Sequence, residues 1–80
     1  MVFVAVDNDE NRLRGTSYML FQTYPGSIVH EFTDPMLSVK YICNHAVDVV
    51  YAKEKMHPVN GKVLTEVLHK QKPELSVILL

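Results

Sequence analysis

Four apolar segments alternate with three segments in which apolar residues recur at helical spacing. The apolar segments are Val2–Val6, Ile28–Phe32, Val47–Ala52 and Leu75–Leu80. The first, third and fourth are continuous apolar runs, which is typical of strands buried on both faces of a parallel sheet. A Pro25-Gly26 turn signal precedes the second. We therefore expect four strands.

The intervening segments have helical patterns with recognisable starts. The first helix runs from about Asp9 to Tyr24, with Asn8 or Asp9 as a natural N-cap. The second begins at Thr33-Asp34-Pro35 and the third after Asn60-Gly61. Alternating strands and helices predict an α/β fold with a parallel sheet and right-handed crossovers.

Each helix is expected to present an apolar face to the sheet. In the second helix that face comprises Met36, Val39, Ile42 and Cys43, and in the third it comprises Leu64, Val67 and Leu68. In the first helix the residues at helical spacing are Leu13, Ser17, Leu20, Phe21 and Tyr24, and Tyr18, Met19, Phe21 and Tyr24 are expected to pack as core or boundary residues.

Length and composition restrict the class of protein. Eighty residues suffice for one small domain, and 48% hydrophobic against 21% charged residues argue against disorder. A net charge of −1 gives no electrostatic basis for direct nucleic-acid binding. No apolar run approaches the roughly 20 residues that span a bilayer. With Cys43 as its lone cysteine, the protein is expected to be cytoplasmic.

Candidate chemistry lies in the loops that follow the strands, because open α/β sheets bind ligands at the carboxyl ends of their strands. These loops are Asp7-Asn8-Asp9, Thr33-Asp34 and Lys53–Gly61. None has a glycine-rich phosphate-binding pattern, which argues against a nucleotide-binding enzyme. Asp7 and Asp9 are typical either of a Mg²⁺ site or of a helix start that satisfies free N–H groups.

No other residue type forms a convincing site. The four histidines (His30, His45, His57 and His69) lack a zinc-ligand spacing, and Cys43 lies on an apolar helix face. No Ser-His-Asp or Cys-His arrangement is apparent. We therefore predict no catalytic residue, no metal and no cofactor.

Several short motifs, taken in order, are shared with one family. Ala5–Asp9 is similar to its Ala-Val-Asp-Asp-Glu, Phe32–Pro35 to its Phe-Thr-Asp-Pro, and Val47–Tyr51 to its Val-Asp-Val-Val-Phe. Met56 and Asn60-Gly61 take the places of the Met and Asn-Gly in its Asp-Ile-Glu-Met-Pro-Gly-Met-Asn-Gly loop. The chain thus resembles the receiver domains of bacterial two-component response regulators, in particular those with a LytTR-type DNA-binding output domain.

This resemblance implies a flavodoxin-like, three-layer fold with strand order 2-1-3-4 and three helices. Residues 1–80 would form a single receiver-like domain whose fourth strand follows Pro73-Glu74. The family's later lysine, fifth strand, and fourth and fifth helices have no counterpart in these residues, so we expect a truncated form of the fold.

The departures from the family concern its phosphorylation site. The phosphate-accepting aspartate, three residues before Met56 and eight before Gly61, corresponds to Lys53. An ammonium group cannot become an acyl phosphate, and its charge opposes Mg²⁺ binding. Asn8 replaces the second acidic residue, a metal ligand in the family, so that Asp7, Asn8 and Asp9 form a vestigial acidic pocket. We expect Lys53 to form an ion pair with Asp7 in the place of the metal.

The resemblance favours a non-catalytic regulatory module that acts by protein–protein contact. In a longer transcriptional regulator it would control the dimerisation or exposure of a DNA-binding output domain, and its partner would be that domain or another regulator. One alternative is a small-molecule or metal-binding domain that uses Asp7, Asp9 and Lys53. Another is a structural remnant without a partner.

The fourth strand is expected to mediate homodimer formation. With no fifth strand it lies at the sheet edge, and an uncharged apolar edge favours pairing with another chain. The expected interface comprises Leu75, Val77, Ile78, Leu79 and Leu80.

Overall fold

Strands and helices alternate along residues 1–80, all of which are described by a computed structural model. The strands are β1 (Val2–Val6), β2 (Ile28–Phe32), β3 (Val49–Ala52) and β4 (Ser76–Leu79), and the helices are α1 (Glu10–Thr23), α2 (Pro35–Asn44) and α3 (Gly61–Gln71). All strand pairs are parallel, in the order β2-β1-β3-β4. The predicted fold class, strand order and number of helices are confirmed. None of the helices is long and apolar enough to cross a membrane.

The third and fourth strands begin later than predicted. The carboxylate of Asp48 accepts the N–H of Val2 at 2.7 Å, which leaves that N–H unavailable to a strand carbonyl. The backbone N–H of Asp48 donates to the Val2 carbonyl at 2.9 Å, and regular pairing of β3 starts at the next residue, Val49. Leu75 precedes β4 because its N–H donates to the Lys72 carbonyl at 3.1 Å, closing a turn.

A side-chain cap starts each helix. The carboxylate of Asp9 accepts the N–H groups of Asn11 and Arg12 at 2.9 and 3.1 Å. Asp34 caps α2 and Asn60 caps α3 in the same way. These caps satisfy backbone donors that have no partner inside the helix. Of the two candidates for the first cap, Asp9 therefore fills this structural role.

The sheet separates two apolar layers. Helices α2 and α3 pack on one side, where a buried cluster comprises Val4, Val6, Ile42, Val50, Ala52, Met56, Leu64, Leu68 and Leu75. Helix α1 packs on the other side through Leu13 and Leu20, against Phe3 and Ala5 of β1. The Phe3 ring also contacts Tyr51, with 5.8 Å between the ring centroids.

The face that α2 buries differs from the predicted one. Ile42 is buried and Val39 and Cys43 are partly buried, but Met36 is 46% exposed, and Pro35 and Ser38 are buried although they were not predicted to be. The hydroxyl of Ser38 donates to the Pro35 carbonyl at 2.6 Å, so this polar group is buried without an unmet hydrogen bond.

For α1, the predicted stripe is confirmed in part: its first three residues are buried, whereas the large aromatic side chains are exposed. Tyr18 is 66% exposed and Phe21 is 48% exposed, while Leu13, Ser17 and Leu20 form the buried stripe. Ser17 can be buried because its hydroxyl group has a hydrogen-bond partner: it donates to the carboxylate of Glu31 at 2.5 Å.

Candidate functional site

The carboxyl ends of β1 and β3 bring Asp7 and Lys53 to one cleft. The N–H of Lys53 donates to the Val6 carbonyl at 2.9 Å, which holds the start of its loop beside the end of β1. The cleft is open to solvent, has a volume of about 330 Å³ and is lined by Asp7, Arg12, Gly15, Thr16, Met19, Lys53 and Leu80. Asn8 and Asp9, predicted to join the same pocket, do not line it.

Asp7 is held by Arg12. The Nε of Arg12 donates to one carboxylate oxygen at 3.1 Å, and Nη2 donates to the other at 2.9 Å. The backbone N–H of Asp9 adds a third hydrogen bond at 2.9 Å. The Asp7 side chain is only 7% exposed, against 52% for Arg12. Both carboxylate oxygens are therefore committed inside the chain.

The expected ion pair between Asp7 and Lys53 is wrong. Lys53 has no Asp or Glu carboxylate within 4 Å, and the partner of Asp7 is Arg12. The planar guanidinium matches both oxygens of one carboxylate, whereas an ammonium group acts as a point charge. Sequence reasoning missed Arg12, although an arginine in the first turn of a helix opposes the helix dipole and so calls for an anionic partner.

Two opposing effects set the pKa of Asp7. Burial acts to raise it, but the hydrogen bonds from Arg12 and the Asp9 N–H, with the charges of Arg12 and Lys53, lower the pKa below its ordinary value. In return, the hydrogen bond with Asp7 raises the pKa of Arg12. The pair is therefore ionised throughout the physiological range.

Asn8 does not line the cleft; its side chain forms hydrogen bonds that link three loops. Its Nδ2 donates to the carbonyls of Thr33 and His57 at 2.8 and 2.9 Å. Its Oδ1 accepts the N–H of His57 at 2.5 Å. The loops after β1, β2 and β3 are thereby joined through one amide. This arrangement requires both a donor and an acceptor, which a carboxylate at this position would not supply.

Lys53 acts on Asp7 only at a distance, because no carboxylate lies within 4 Å of its ammonium group. Its neighbour Glu54 lies 4.0 Å from Lys62. Asp7, Arg12 and Lys53 together give the cleft one net positive charge. No group of three or more His, Cys, Asp or Glu side chains is arranged to hold a metal ion. The carboxylate of Asp9, outside the lining of the cleft, lies 3.8 Å from Nη1 of Arg12, so the cation without an ion-pair partner is Lys53, which favours an anion over a divalent cation as a ligand.

The histidines and Cys43, the other residues considered in the sequence analysis, lie among structural contacts. Tyr41 is flanked by His30, whose Nε2 lies 2.9 Å from the tyrosine hydroxyl, and by His45, whose ring is stacked at 3.9 Å. The Nε2 of His69 lies 2.8 Å from the Leu75 carbonyl. Cys43 is partly buried. The fold thus joins two histidines that are distant in sequence, which spacing alone did not predict.

Comparison with known proteins identifies the fold. No family model and no curated protein matches the chain. Among solved structures, it is similar to the signal receiver domain of an HD domain-containing protein from Pseudomonas fluorescens Pf-5, with a TM-score of 0.83 and 23% identity over 98% of this chain and 56% of that one. It is also similar to a response regulator receiver domain protein from Clostridium thermocellum, with a TM-score of 0.84 and 21% identity over 98% of this chain and 62% of that one.

An uncharacterized protein from Neptuniibacter caesariensis is a further structural neighbour, with a TM-score of 0.84 and 20% identity over 92% of this chain and 53% of that one. The present chain spans little more than half the length of these neighbours. It has the fold of a receiver domain.

Proposed function

We propose that this chain is a non-catalytic, receiver-like signalling module that acts by protein–protein contact and is not phosphorylated at the usual acceptor position. One observation carries the proposal: Arg12 occupies both oxygens of Asp7, while Lys53 stands where the family has its acceptor aspartate.

The chemistry of these side chains supports the proposal. Receiver phosphorylation, as the resemblance implies it, needs a carboxylate acceptor and a Mg²⁺ ion held by neighbouring acids. Lys53 supplies an ammonium group instead of the acceptor carboxylate. To bind Mg²⁺, Asp7 would have to lose the hydrogen bonds that Arg12 donates to it. The metal ion would also have to approach two positively charged side chains, Arg12 and Lys53. A permanent guanidinium thus replaces an exchangeable metal ion.

The partner follows from the same reasoning. The neighbour from Pseudomonas fluorescens is the receiver domain of an HD domain-containing protein, so a domain of this fold is joined there to a second domain. In the present case the partner would be an output domain or a second regulator in the cytoplasm. In a transcriptional regulator, the module would set the dimerisation or exposure of a DNA-binding domain independently of phosphate transfer.

Incubation with Mg²⁺ and acetyl phosphate, followed by intact-mass measurement, tests the proposal. We expect no adduct, while a competent receiver domain treated alongside gains one phosphoryl group. A stable adduct of one phosphoryl group on this chain would overturn the proposal.

Stepwise restoration of the site tests the role of Arg12. Lys53→Asp alone should raise Mg²⁺ affinity only slightly, because the oxygens of Asp7 remain bound to Arg12. Adding Arg12→Met should free them and raise the affinity much further in a calorimetric titration. Lys55→Asp, the same charge change at an exposed position of the same loop, is the matched control. Full recovery in the single Lys53→Asp variant would show that Arg12 does not block the site.

A further inference from the structure

The cleft beside Lys53 has a charged end and an apolar end. Lys53 and Arg12 supply the charge, and Met19 and Leu80, both exposed, supply the apolar surface. We propose that this cleft binds, without covalent chemistry, a small organic anion: a carboxylate or phosphate monoester with a short apolar chain. Its volume of about 330 Å³ lies at the lower end of the range for small-molecule sites.

The charged end offers donors that the chain itself leaves unused. Lys53 is half-buried and has no carboxylate within 4 Å. Arg12 uses Nε and Nη2 for Asp7, while its Nη1 lies 3.8 Å from the nearest oxygen of Asp9, beyond hydrogen-bonding distance. Hydrogen bonds to an anion from two cationic groups are shorter and stronger than neutral ones.

A glycine in the middle of α1 is the second, independent observation. Gly15 lines the cleft, and a Cβ added there would meet no atom within 4 Å. Glycine inside a helix is destabilising relative to alanine, so a packing reason would be expected. None exists within the chain. Because Gly15 has no side chain, a ligand in the cleft could approach the backbone of α1 closely.

The apolar end determines the kind of anion. Met19 belongs to α1 and Leu80 follows β4, so together they offer a short hydrophobic surface next to the cations. Methionine adapts its shape to an irregular ligand. A bare inorganic ion would leave this surface in water, whereas a short alkyl chain would cover it.

The inference rests on the proposed function, since it needs Lys53 unmodified and Asp7 free of metal. A bound anion would place negative charge next to Lys53, at the position where the family carries its covalent phosphoryl group. The ligand would then regulate the module by occupancy instead of by phosphate transfer.

Titration of the ¹⁵N-labelled chain with hexyl phosphate and with hexanoate tests the inference. We expect saturable shifts of the backbone amides of Gly15, Thr16 and Lys53 at millimolar concentrations for at least one of the two, which also distinguishes the headgroups. Inorganic phosphate and hexanol, each lacking one half of the ligand, should bind more weakly. If hexanol bound as tightly as the two anions, the role of the cations would be overturned. If inorganic phosphate did so, the role of the apolar end would be overturned. No saturable shift with either anion would overturn the whole inference.

Variants locate the site. Lys53→Met should weaken binding about tenfold, as expected for the loss of one charge-assisted hydrogen bond, while Lys55→Met should leave it unchanged. Gly15→Leu fills the cleft and should abolish binding with no loss of thermal stability. Unchanged binding in both Lys53→Met and Gly15→Leu would contradict the assignment. If the chain shows no amide shifts and also gains no phosphoryl group from acetyl phosphate, only this inference is overturned. If it gains a phosphoryl group, the proposed function is overturned.

Discussion

The side chain of Asn8 and the backbone of His57 pair as two peptide groups would, each donating one hydrogen bond to the other at 2.9 and 2.5 Å. A second donor bond from the same amide reaches the Thr33 carbonyl at 2.8 Å. The Asn8 amide is therefore a brace between the loops after β1, β2 and β3. The brace also fixes the loop that carries Lys53.

Asn8→Asp should lower the free energy of unfolding by about 1–2 kcal/mol, because two hydrogen bonds are lost and a carboxylate then faces two carbonyl oxygens. Urea denaturation measures the change. Asn11→Asp makes the same chemical change at an exposed position in the first turn of α1 and should be neutral or slightly stabilising. Equal effects of the two substitutions would argue against the brace.

Arg12→Met should lower the free energy of unfolding at neutral pH, because it leaves the buried carboxylate of Asp7 without two hydrogen bonds. The pKa of Asp7 is lowered in the folded chain from an ordinary value of 3.8. Its stabilising effect is therefore present above that pH and is lost as the pH falls through the lowered pKa. The variant should thus lose less stability than the wild type on acidification below about pH 4.

Arg14→Met is the control for that substitution. It removes an exposed pair with Glu10, one helical turn away at 2.7 Å, and such pairs contribute about 0.3–0.5 kcal/mol. Denaturant midpoints across the acidic range would separate the two variants. Parallel pH profiles of Arg12→Met and the wild type would contradict the assigned role of Asp7.

Two glycine-to-alanine substitutions should have opposite effects. At Gly61 a Cβ would lie 2.7 Å from a Leu79 methyl and 2.8 Å from the Lys53 carbonyl. Gly61→Ala should therefore destabilise the fold by about 1–3 kcal/mol. Gly15→Ala meets no atom within 4 Å and should stabilise it by about 0.5–1 kcal/mol. Thermal unfolding tests both, and loss of stability at Gly15 would mean that this helix position is packed.

We expect the 80-residue chain to form homodimers through β4. This strand is a sheet edge, residues 75–80 carry no charge, and Ile78 is 42% exposed. Light scattering should give about twice the 9.1 kDa of one chain, and Ile78→Lys should reduce it. Val63→Lys, an equivalent change on the exposed face of α3, should leave the mass unchanged. A wild-type monomer at high micromolar concentration would refute the dimer.

Hydrophobic periodicity was sufficient to predict the elements but not which residues line each interface. The continuous apolar run of β1 reflects a strand with neighbours on both edges and layers on both faces, and its prediction is confirmed. Ser38 was missed because a polar residue enters the core only when a local carbonyl accepts its hydroxyl proton, here that of Pro35. Hydropathy does not contain that information.

The candidate site was predicted in position more than in detail. Asp7 and Lys53 meet because parallel strands end at the same edge of a sheet, which follows from topology alone. The partner of Asp7 depends on the direction of one flexible side chain, that of Arg12, which the sequence analysis did not consider. Tyr41 joins His30 to His45 only after β2 and α2 have packed together.

The position of β1 at the centre of the sheet has a consequence for folding. Phe3 pairs with Val29 on one side and with Val49 on the other. The backbone groups on the second edge of β1, the most apolar strand, therefore have no hydrogen-bond partners until β3 has been synthesised and the chain between β1 and β3 has folded back. Such non-local pairing slows folding relative to helical domains of similar size. On the ribosome, Val2–Val6 remains accessible to chaperones until residues 49–52 have been made.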